Sequence, residues 1–211
     1  MTANAAFWDN LAERYAAQPV ANPDAFERKI AINRALMTPD DVVLGIGCGT
    51  GSLALRLAPS AKHVHGLDVS SEMIRIARGK AAAQGATNVT FHVGPFDDSF
   101  STFDAGSLDG VCAYSILHLL EDREAALARV FELLKPGGWF VSSTVCLGES
   151  WVPYPLVIGL MRMVGKAPKV STFKVSSLVD EMRAAGFADI QTPDVGAKAI
   201  VGFVVARKPA A

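Results

Sequence analysis

A glycine-rich turn between a short apolar run and a helical pattern constrains this chain more than any other feature. Residues 42–46 are Val-Val-Leu-Gly-Ile, residues 47–51 are Gly-Cys-Gly-Thr-Gly, and Leu53, Leu55 and Leu57 follow. The apolar run predicts a buried strand, and the leucines predict a helix. Glycines between them let the backbone approach a ligand, while the helix N-terminus presents free N–H groups. The sequence therefore predicts a strand, turn and helix that hold a small molecule.

The alternation of apolar runs and helical patterns continues along the chain. Strands are predicted at 64–68, 89–93, 108–113 and 139–144. Helices are predicted from Ser70 or Ser71 to about Gln84, and from an Asp122 cap to the Lys-Pro-Gly-Gly break at 135–138. Strands that alternate with helices imply right-handed crossovers and a parallel sheet covered on both faces. The predicted class is a doubly wound α/β fold.

The two ends of the chain depart from this alternation. Five further elements are predicted, namely helices at 7–16, 25–36 and 175–185 and strands at 190–192 and 202–206. The first two helices are expected to cap the sheet. The last two strands are joined by a loop containing Gly196 that is too short for a crossover helix, so they are expected to pair as an antiparallel hairpin.

Asp68 follows the second predicted strand, 21 residues after Gly47. In a doubly wound sheet this places its carboxylate beside the first loop, where it can accept ribose hydroxyls. Glycines alone would only turn the chain, and an acid alone would only cap a helix, but the pair at this spacing predicts an adenosine cofactor. A dinucleotide is disfavoured, because Thr50 or Ser52 stands where its fingerprint needs a third glycine.

Composition and charge exclude several classes of protein. The 20 Lys and Arg against 21 Asp and Glu leave no basic excess, so no nucleic-acid partner is expected. Three cysteines without CxxC spacing predict neither a metal site nor a disulfide framework. Residues 151–161 form an uncharged apolar stretch, but it contains two prolines and is shorter than the ~20 residues of a spanning helix. Without features of a secretion signal, the chain is expected to be a globular cytoplasmic protein.

Residues 43–51, Val-Leu-Gly-Ile-Gly-Cys-Gly-Thr-Gly, resemble the first motif of class I methyltransferases, and residues 65–74, His-Gly-Leu-Asp-Val-Ser-Ser-Glu-Met-Ile, resemble the second. The resemblance continues in order through 103–104, 117–119, 133–138 and 185–187, and spans roughly residues 7–209. It implies a small-molecule methyltransferase that uses S-adenosylmethionine and releases S-adenosylhomocysteine. It also implies a seven-stranded sheet in the order 3-2-1-4-5-7-6, with strand 7 antiparallel.

The resemblance further implies one methyltransferase domain over residues 1–211. Its parts would be an N-terminal helical cap (1–38), a cofactor-binding core (39–147), an acceptor-side cover (148–174), and a C-terminal helix with the antiparallel hairpin (175–211). The cofactor would lie at the carboxyl ends of strands 1, 2 and 4.

Around the methionine and ribose, the resemblance assigns Gly47, Cys48 and Gly49 as lining residues and Asp68 as the partner of the ribose hydroxyls. Gly45 departs from the family pattern, which usually has Asp or Glu there to hold the methionine ammonium. Its absence removes one charge-assisted contact of about 1.5–3 kcal/mol if nothing replaces it.

Around the adenine, the resemblance assigns Val69 and Met73 to the ring and Phe96 and Asp97 to its edge. Met73 fits a place in the helix core equally well, because methionine fills gaps anywhere. The family's Gly-Asp-Ala after strand 3 is Gly-Pro-Phe here. This departure leaves the adenine amino group to Asp97 or Asp98.

Near the transferable methyl, the resemblance assigns Tyr114 and Ser115. His118 follows the same strand and is a candidate general base, although a hydrogen-bonded pocket or cap histidine is the more frequent role. Tyr15 would reach over the cofactor from the N-terminal cap, or would simply pack on its helix face.

An apolar stretch, residues 151–168, stands where the family commonly inserts its acceptor cover. It contains Trp151, Tyr154, Met161 and Met163, and it predicts a lipophilic small-molecule acceptor or a cover that only packs on the core.

Transfer of a methyl group from a sulfonium requires mainly placement of the acceptor and exclusion of water, so direct displacement is the expected mechanism. The alternative is a non-catalytic protein of similar fold that binds a nucleoside or a partner, and Gly45 is the feature in its favour.

Overall fold

The computed structural model describes residues 3–149 and 170–210 of the chain. Its helices are α1 Ala3–Ala17, α2 Pro23–Leu36, α3 Ser52–Leu57, α4 Ser71–Ala83, α5 Arg123–Leu133 and α6 Val175–Ala184. Its strands are β1 Val42–Ile46, β2 His63–Asp68, β3 Val89–Val93, β4 Leu108–Tyr114, β5 Leu134–Val145, β6 Ala188–Gln191 and β7 Val201–Arg207. Every element expected within these residues is present.

The seven strands form one sheet in the order β3-β2-β1-β4-β5-β7-β6. Strand β1 lies in the interior of the sheet and pairs in parallel with β2 and β4. Strand β7 runs antiparallel to both β5 and β6. The expected order and the C-terminal hairpin are both confirmed. The carboxyl ends of β1, β2 and β4 consequently meet at one edge of the sheet.

Two apolar clusters cover the two faces of the sheet. One combines strand residues with side chains of α5 and α6, among them Leu44, Leu67, Val111, Phe140, Leu127 and Leu178. The other combines strand residues with side chains of α2, α3 and α4, among them Val43, Val64, Val141, Ile30, Leu55 and Ile74. Burial on both faces explains why the central strands are continuous apolar runs.

Side-chain caps fix where the helices begin. The Oγ of Ser70 accepts a hydrogen bond from the N–H of Met73 at 3.1 Å, so Ser70 is the N-cap of α4. The Oδ1 of Asp122 accepts from the N–H of Ala125 at 2.9 Å, which confirms the predicted cap of α5. These caps fix the residue at which each helix begins, and so the length of the loop that precedes it.

Strand β5 begins five residues earlier than predicted. The sequence places its start at Trp139, after the Lys-Pro-Gly-Gly break, whereas the strand runs from Leu134. Leu134 is fully buried and pairs with Leu108. The register then shifts, so that Gly110 pairs with Trp139. Long-range pairing thus extends a strand through a segment whose local residue types predict a turn.

The two N-terminal helices occupy different places. Helix α2 packs over the sheet, and Lys29 and Asn33 hydrogen-bond to β5 and β4. Helix α1 packs against α4, which lies beside the carboxyl edge. Within the described ranges, no helix has the length and apolar character that crossing a membrane would require. The predicted acceptor stretch at 151–168 lies outside the described residues.

Candidate functional site

The glycine-rich turn leaves β1 in a conformation that favours glycine. Gly47, Gly49 and Gly51 have φ values of 62°, 52° and 77°. At position 47 a Cβ would lie 2.7 Å from Cβ and Cγ1 of Ile116, so no side chain fits there. The N–H of Cys48 donates to the carbonyl of Leu67 at 3.0 Å, which fastens the turn to β2. The result is an open backbone cradle at the carboxyl edge.

Asp68 lies at the end of β2 and faces this cradle. Its Oδ2 accepts from the N–H of Gly49 at 2.8 Å, and its Oδ1 accepts from the N–H of Ser70 at 3.0 Å. Burial raises the pKa of Asp68, while these backbone hydrogen bonds act to lower it. Each carboxylate oxygen has capacity for a further donor. Two neighbouring ligand hydroxyls are the donors that such a fixed carboxylate suits.

Tyr15 extends from α1 toward the same cradle. Its Cε1 lies 3.8 Å from the place of a Cβ on Gly49. Burial of the phenol and the negative charge of Asp68 raise the pKa of Tyr15. The residue is nevertheless 45% exposed. The structure therefore brings Tyr15, Gly49 and Asp68 together.

Asp9 holds α1 in this position, and sequence analysis did not identify it. Its Oδ1 accepts from the Oγ of Ser70 at 2.6 Å and from the N–H of Glu72 at 3.1 Å. The hydrogen bond from Ser70 is the main cause of a lowered pKa of Asp9. Asp9 thus adds a carboxylate from another helix to the N-terminus of α4, where negative charge is favoured. No local pattern in the sequence marks this contact.

The residues assigned to adenine lie along the same edge. Met73 is 2% exposed, so its side chain is buried, and Val69 is partly buried. Phe96 packs on Phe100, with ring centroids 6.4 Å apart. The Oδ1 of Asp97 accepts from the N–H and Oγ of Ser99 at 2.9 and 2.5 Å, which closes a turn after β3. Burial favours the core role for Met73.

Tyr114 and Ser115 end β4 opposite the glycine turn. The hydroxyl of Tyr114 accepts from the Nδ2 of Asn33 at 2.7 Å and so faces α2. Ser115 is exposed, has a φ of 56°, and donates its N–H to the carbonyl of Ser143 at 2.6 Å. Non-glycine residues in this conformation carry backbone strain and occur preferentially at functional sites. The next residue, Ile116, closes over Gly47.

His118 lies in the short turn Leu117–Leu119 beyond β4. Its Nδ1 lies 3.0 Å from the Oγ1 of Thr144, which is buried in β5. Burial lowers the pKa of His118 to about 4. The imidazole is therefore neutral near pH 7, and its pKa is far from the value near the operating pH that suits a general base. These observations favour the role of a hydrogen-bonded pocket histidine.

Cys48 is the only one of the three assigned turn residues with a side chain. Its thiol lies between the turn and β2, close to Gly66. Burial, and then the charge of Asp68, raise the pKa of Cys48 well above its usual value. The thiol is therefore a neutral packing group, and the backbone is the part of Cys48 that a ligand can contact.

Gly45 has space for a larger residue. A Cβ there would lie 3.7 Å from the carbonyl oxygen of His65 and 4.0 Å from the Cβ of Cys48, both ordinary contacts. The absence of an acid at this position is therefore not imposed by crowding near the Cβ.

Comparison with known proteins agrees with this geometry. Residues 43–138 match the family described as a methyltransferase domain. A ubiquinone/menaquinone biosynthesis C-methyltransferase of Geotalea daltonii is 30% identical over 115 residues, which are 53% of this chain and 48% of that protein. An O-methyltransferase of Penicillium expansum is 26% identical over 194 residues, which are 90% of this chain and 66% of that protein.

A solved structure has the same architecture. The crystal structure of the YcgJ protein from Bacillus subtilis aligns with a TM-score of 0.73 at 19% identity, and the alignment covers 88% of this chain and 100% of that one. At this identity the likeness concerns the fold alone. The chain spans 39% to 66% of the length of curated relatives such as those above.

Proposed function

We propose that the chain is a class I methyltransferase that binds S-adenosylmethionine and transfers its methyl group to a small-molecule acceptor, as the match of residues 43–138 to a methyltransferase domain supports. One observation carries the proposal. The carboxylate of Asp68 is fixed by two backbone N–H groups directly beside a glycine cradle, with further hydrogen-bonding capacity on both oxygens. That arrangement suits the two ribose hydroxyls of an adenosine.

In this proposal residues 1–38 cap the site, residues 39–147 hold the cofactor, residues 148–174 cover the acceptor, and residues 175–211 complete the sheet. Gly47 and Gly49 let the cofactor contact the backbone of the turn, and Tyr15 covers the cofactor from α1. Val69, Phe96 and Asp97 surround the adenine. Tyr114 and Ser115 border the reacting methyl.

S-adenosylmethionine supplies an electrophilic methyl group on a sulfonium. The chain must therefore align the acceptor with the C–S bond and exclude water, and its residues need not form a covalent bond with the substrate. The backbone N–H of Ser115 is bonded to Ser143 and Ile116 lies over Gly47, an arrangement that suits such alignment. The acceptor loses its proton to solvent or to a neighbouring group after transfer.

Two of the relatives, a C-methyltransferase of quinone biosynthesis and an O-methyltransferase, support the small-molecule class, whereas others are named as RNA methyltransferases. The near balance of 20 basic and 21 acidic residues gives no electrostatic preference for nucleic acid. A lipophilic acceptor remains our hypothesis from the composition of residues 151–168.

Calorimetric titration with S-adenosylmethionine and S-adenosylhomocysteine tests the cofactor. Transfer of a labelled methyl group into a cell extract, followed by separation of small molecules from macromolecules, tests the acceptor class. We expect micromolar binding of both ligands and label in the organic-soluble fraction. No binding by the wild-type chain would favour a non-catalytic role, and label confined to RNA or protein would refute the small-molecule proposal.

Substitution of His118 by glutamine should lower the rate of labelled methyl transfer by less than about tenfold, whereas loss of a general base typically costs about 10²–10⁴-fold. The reason is the pKa of about 4 and the contact of Nδ1 with Thr144. His63→Gln is the control, because His63 contacts Thr90 on the outer strands. A loss of 100-fold or more, with normal cofactor binding, would instead make His118 a catalytic base.

A further inference from the structure

Lys29 places a positive charge at the carboxyl end of β4 and β5. Its Nζ donates to the Oγ of Ser143 at 2.8 Å and lies 6.0 Å from the ring centroids of both Tyr114 and Phe203. Tyr114 and Ser143 are paired residues of the sheet, and Ser115 follows directly. The ammonium therefore lies beside the strand end where the acceptor is proposed to meet the methyl group.

Among the side chains that the structure describes, no carboxylate is paired with this ammonium. Burial lowers the pKa of Lys29, and no acidic group opposes that shift. Residues 150–169 contain no Asp or Glu, and Glu149, next to that stretch, is an acid whose side chain lies outside the described part of the structure. A partly buried charge without a counter-ion is unfavourable, since desolvation is not offset by attraction. A bound anion would supply a counter-charge that the described side chains do not provide.

The neighbouring polar groups leave the ammonium available. The hydroxyl of Tyr114 accepts a hydrogen bond from the Nδ2 of Asn33. The same Nδ2 also donates to the backbone carbonyl of Lys29, and the Oδ1 of Asn33 accepts from the thiol of Cys112. An ammonium has three N–H donors, and Ser143 takes one of them. The aromatic rings of Tyr114 and Phe203 provide apolar surface beside the ammonium.

We propose that Lys29 binds an ionised oxygen of the acceptor, so that the acceptor is an organic acid with an apolar body. This inference rests on the proposed function and adds the substrate class. A carboxylate, or an ionised phenol or enol, would accept the free N–H donors of Lys29 while its apolar part lies against Tyr114 and Phe203. Charge-assisted hydrogen bonds in a partly desolvated site are the strong ones, so an acid is selected over its neutral analogue.

A matched pair of probes tests this selection on the full chain. Dissociation constants are measured for cinnamate and cinnamamide, which differ only in the acid group, with protein saturated with S-adenosylhomocysteine. The wild type should bind the acid at least about tenfold more tightly than the amide. Lys29→Met should abolish the difference and leave affinity for S-adenosylhomocysteine unchanged, whereas Lys29→Arg should retain it. Lys198→Met, a nearby cation on the 192–200 loop, is the control and should behave as the wild type.

The proposal is overturned if the wild type binds neither probe, if it binds both equally, or if the preference for the acid survives in Lys29→Met. Lys29→Gln, which keeps a donor for Ser143, replaces Lys29→Met if thermal unfolding shows that the latter is not folded. Failure of the wild type to bind S-adenosylhomocysteine would count against the proposed function instead. The dissociation constants of the acid and the amide would then be compared without S-adenosylhomocysteine, and their ratio would still decide the role of Lys29.

Discussion

Substitution of Asp68 by alanine should raise the dissociation constant for S-adenosylmethionine by at least about 100-fold, because each hydrogen bond to a charged group contributes about 1.5–3 kcal/mol. In the proposed complex the carboxylate accepts both ribose hydroxyls. Its loss also leaves the N–H groups of Gly49 and Ser70 without their acceptor, so the cradle loosens. Calorimetric titration gives the change in affinity.

Two controls separate binding from folding. Asp104→Ala removes an exposed acid from the loop before β4 and should leave affinity for the cofactor unchanged. Thermal unfolding of Asp68→Ala should still show a cooperative transition, since a carboxylate at the sheet edge contributes less to stability than the core. If Asp68→Ala bound S-adenosylmethionine as tightly as the wild type, the assignment of the ribose site would be wrong.

Substitution of Gly47 by alanine should lower the free energy of unfolding by roughly 2–4 kcal/mol, and with it cofactor affinity. Two causes act together. A φ of 62° is strained for any residue with a Cβ, and that Cβ would lie 2.7 Å from two atoms of Ile116. Either the turn or the segment after β4 must shift, and both border the proposed cofactor site. Chemical denaturation and titration with S-adenosylhomocysteine measure the two effects.

Gly45→Ala is the matched control for Gly47→Ala. It adds the same methyl group two residues earlier, where the nearest atoms lie at 3.7 and 4.0 Å, so its effect on stability should stay below about 1 kcal/mol. Ile116→Ala in the Gly47→Ala background should restore part of the stability, because it removes the clash but not the backbone strain. Equal effects of the two glycine substitutions would contradict this account of the turn.

The elements of the fold were predictable because each depends on a local pattern. Apolar runs located β1 to β4 to within one residue of their ends, and the hydroxyl and carboxylate caps at Ser70 and Asp122 located two helix starts. The start of β5 was predicted five residues too late. Its first residues have a composition typical of a turn, but Leu134 pairs with Leu108 and so belongs to the strand. A local pattern does not contain that partner.

The pairing of the glycine turn with Asp68 was also predictable, because the right-handed β-α-β connection brings the ends of adjacent parallel strands together at one edge. The contacts of Asp9, Asn33 and Lys29 were not. Each joins an N-terminal helix to a residue at least 61 positions away, with no spacing that marks it. Their partners depend on how α1 and α2 pack.

The amino-acid sequence by itself determined the order of helices and strands, the parallel pairing of β1 to β5, and the meeting of the glycine turn and Asp68 at the carboxyl edge. These follow from hydrophobic periodicity, glycine conformation and the handedness of crossovers, which act over short stretches of chain. Only the tertiary structure decided which side chains surround that edge and in what state. Burial lowers the pKa of His118, Ile116 closes over Gly47, and Lys29 lies without a carboxylate partner among the described residues, because desolvation and crowding arise only when distant segments pack together.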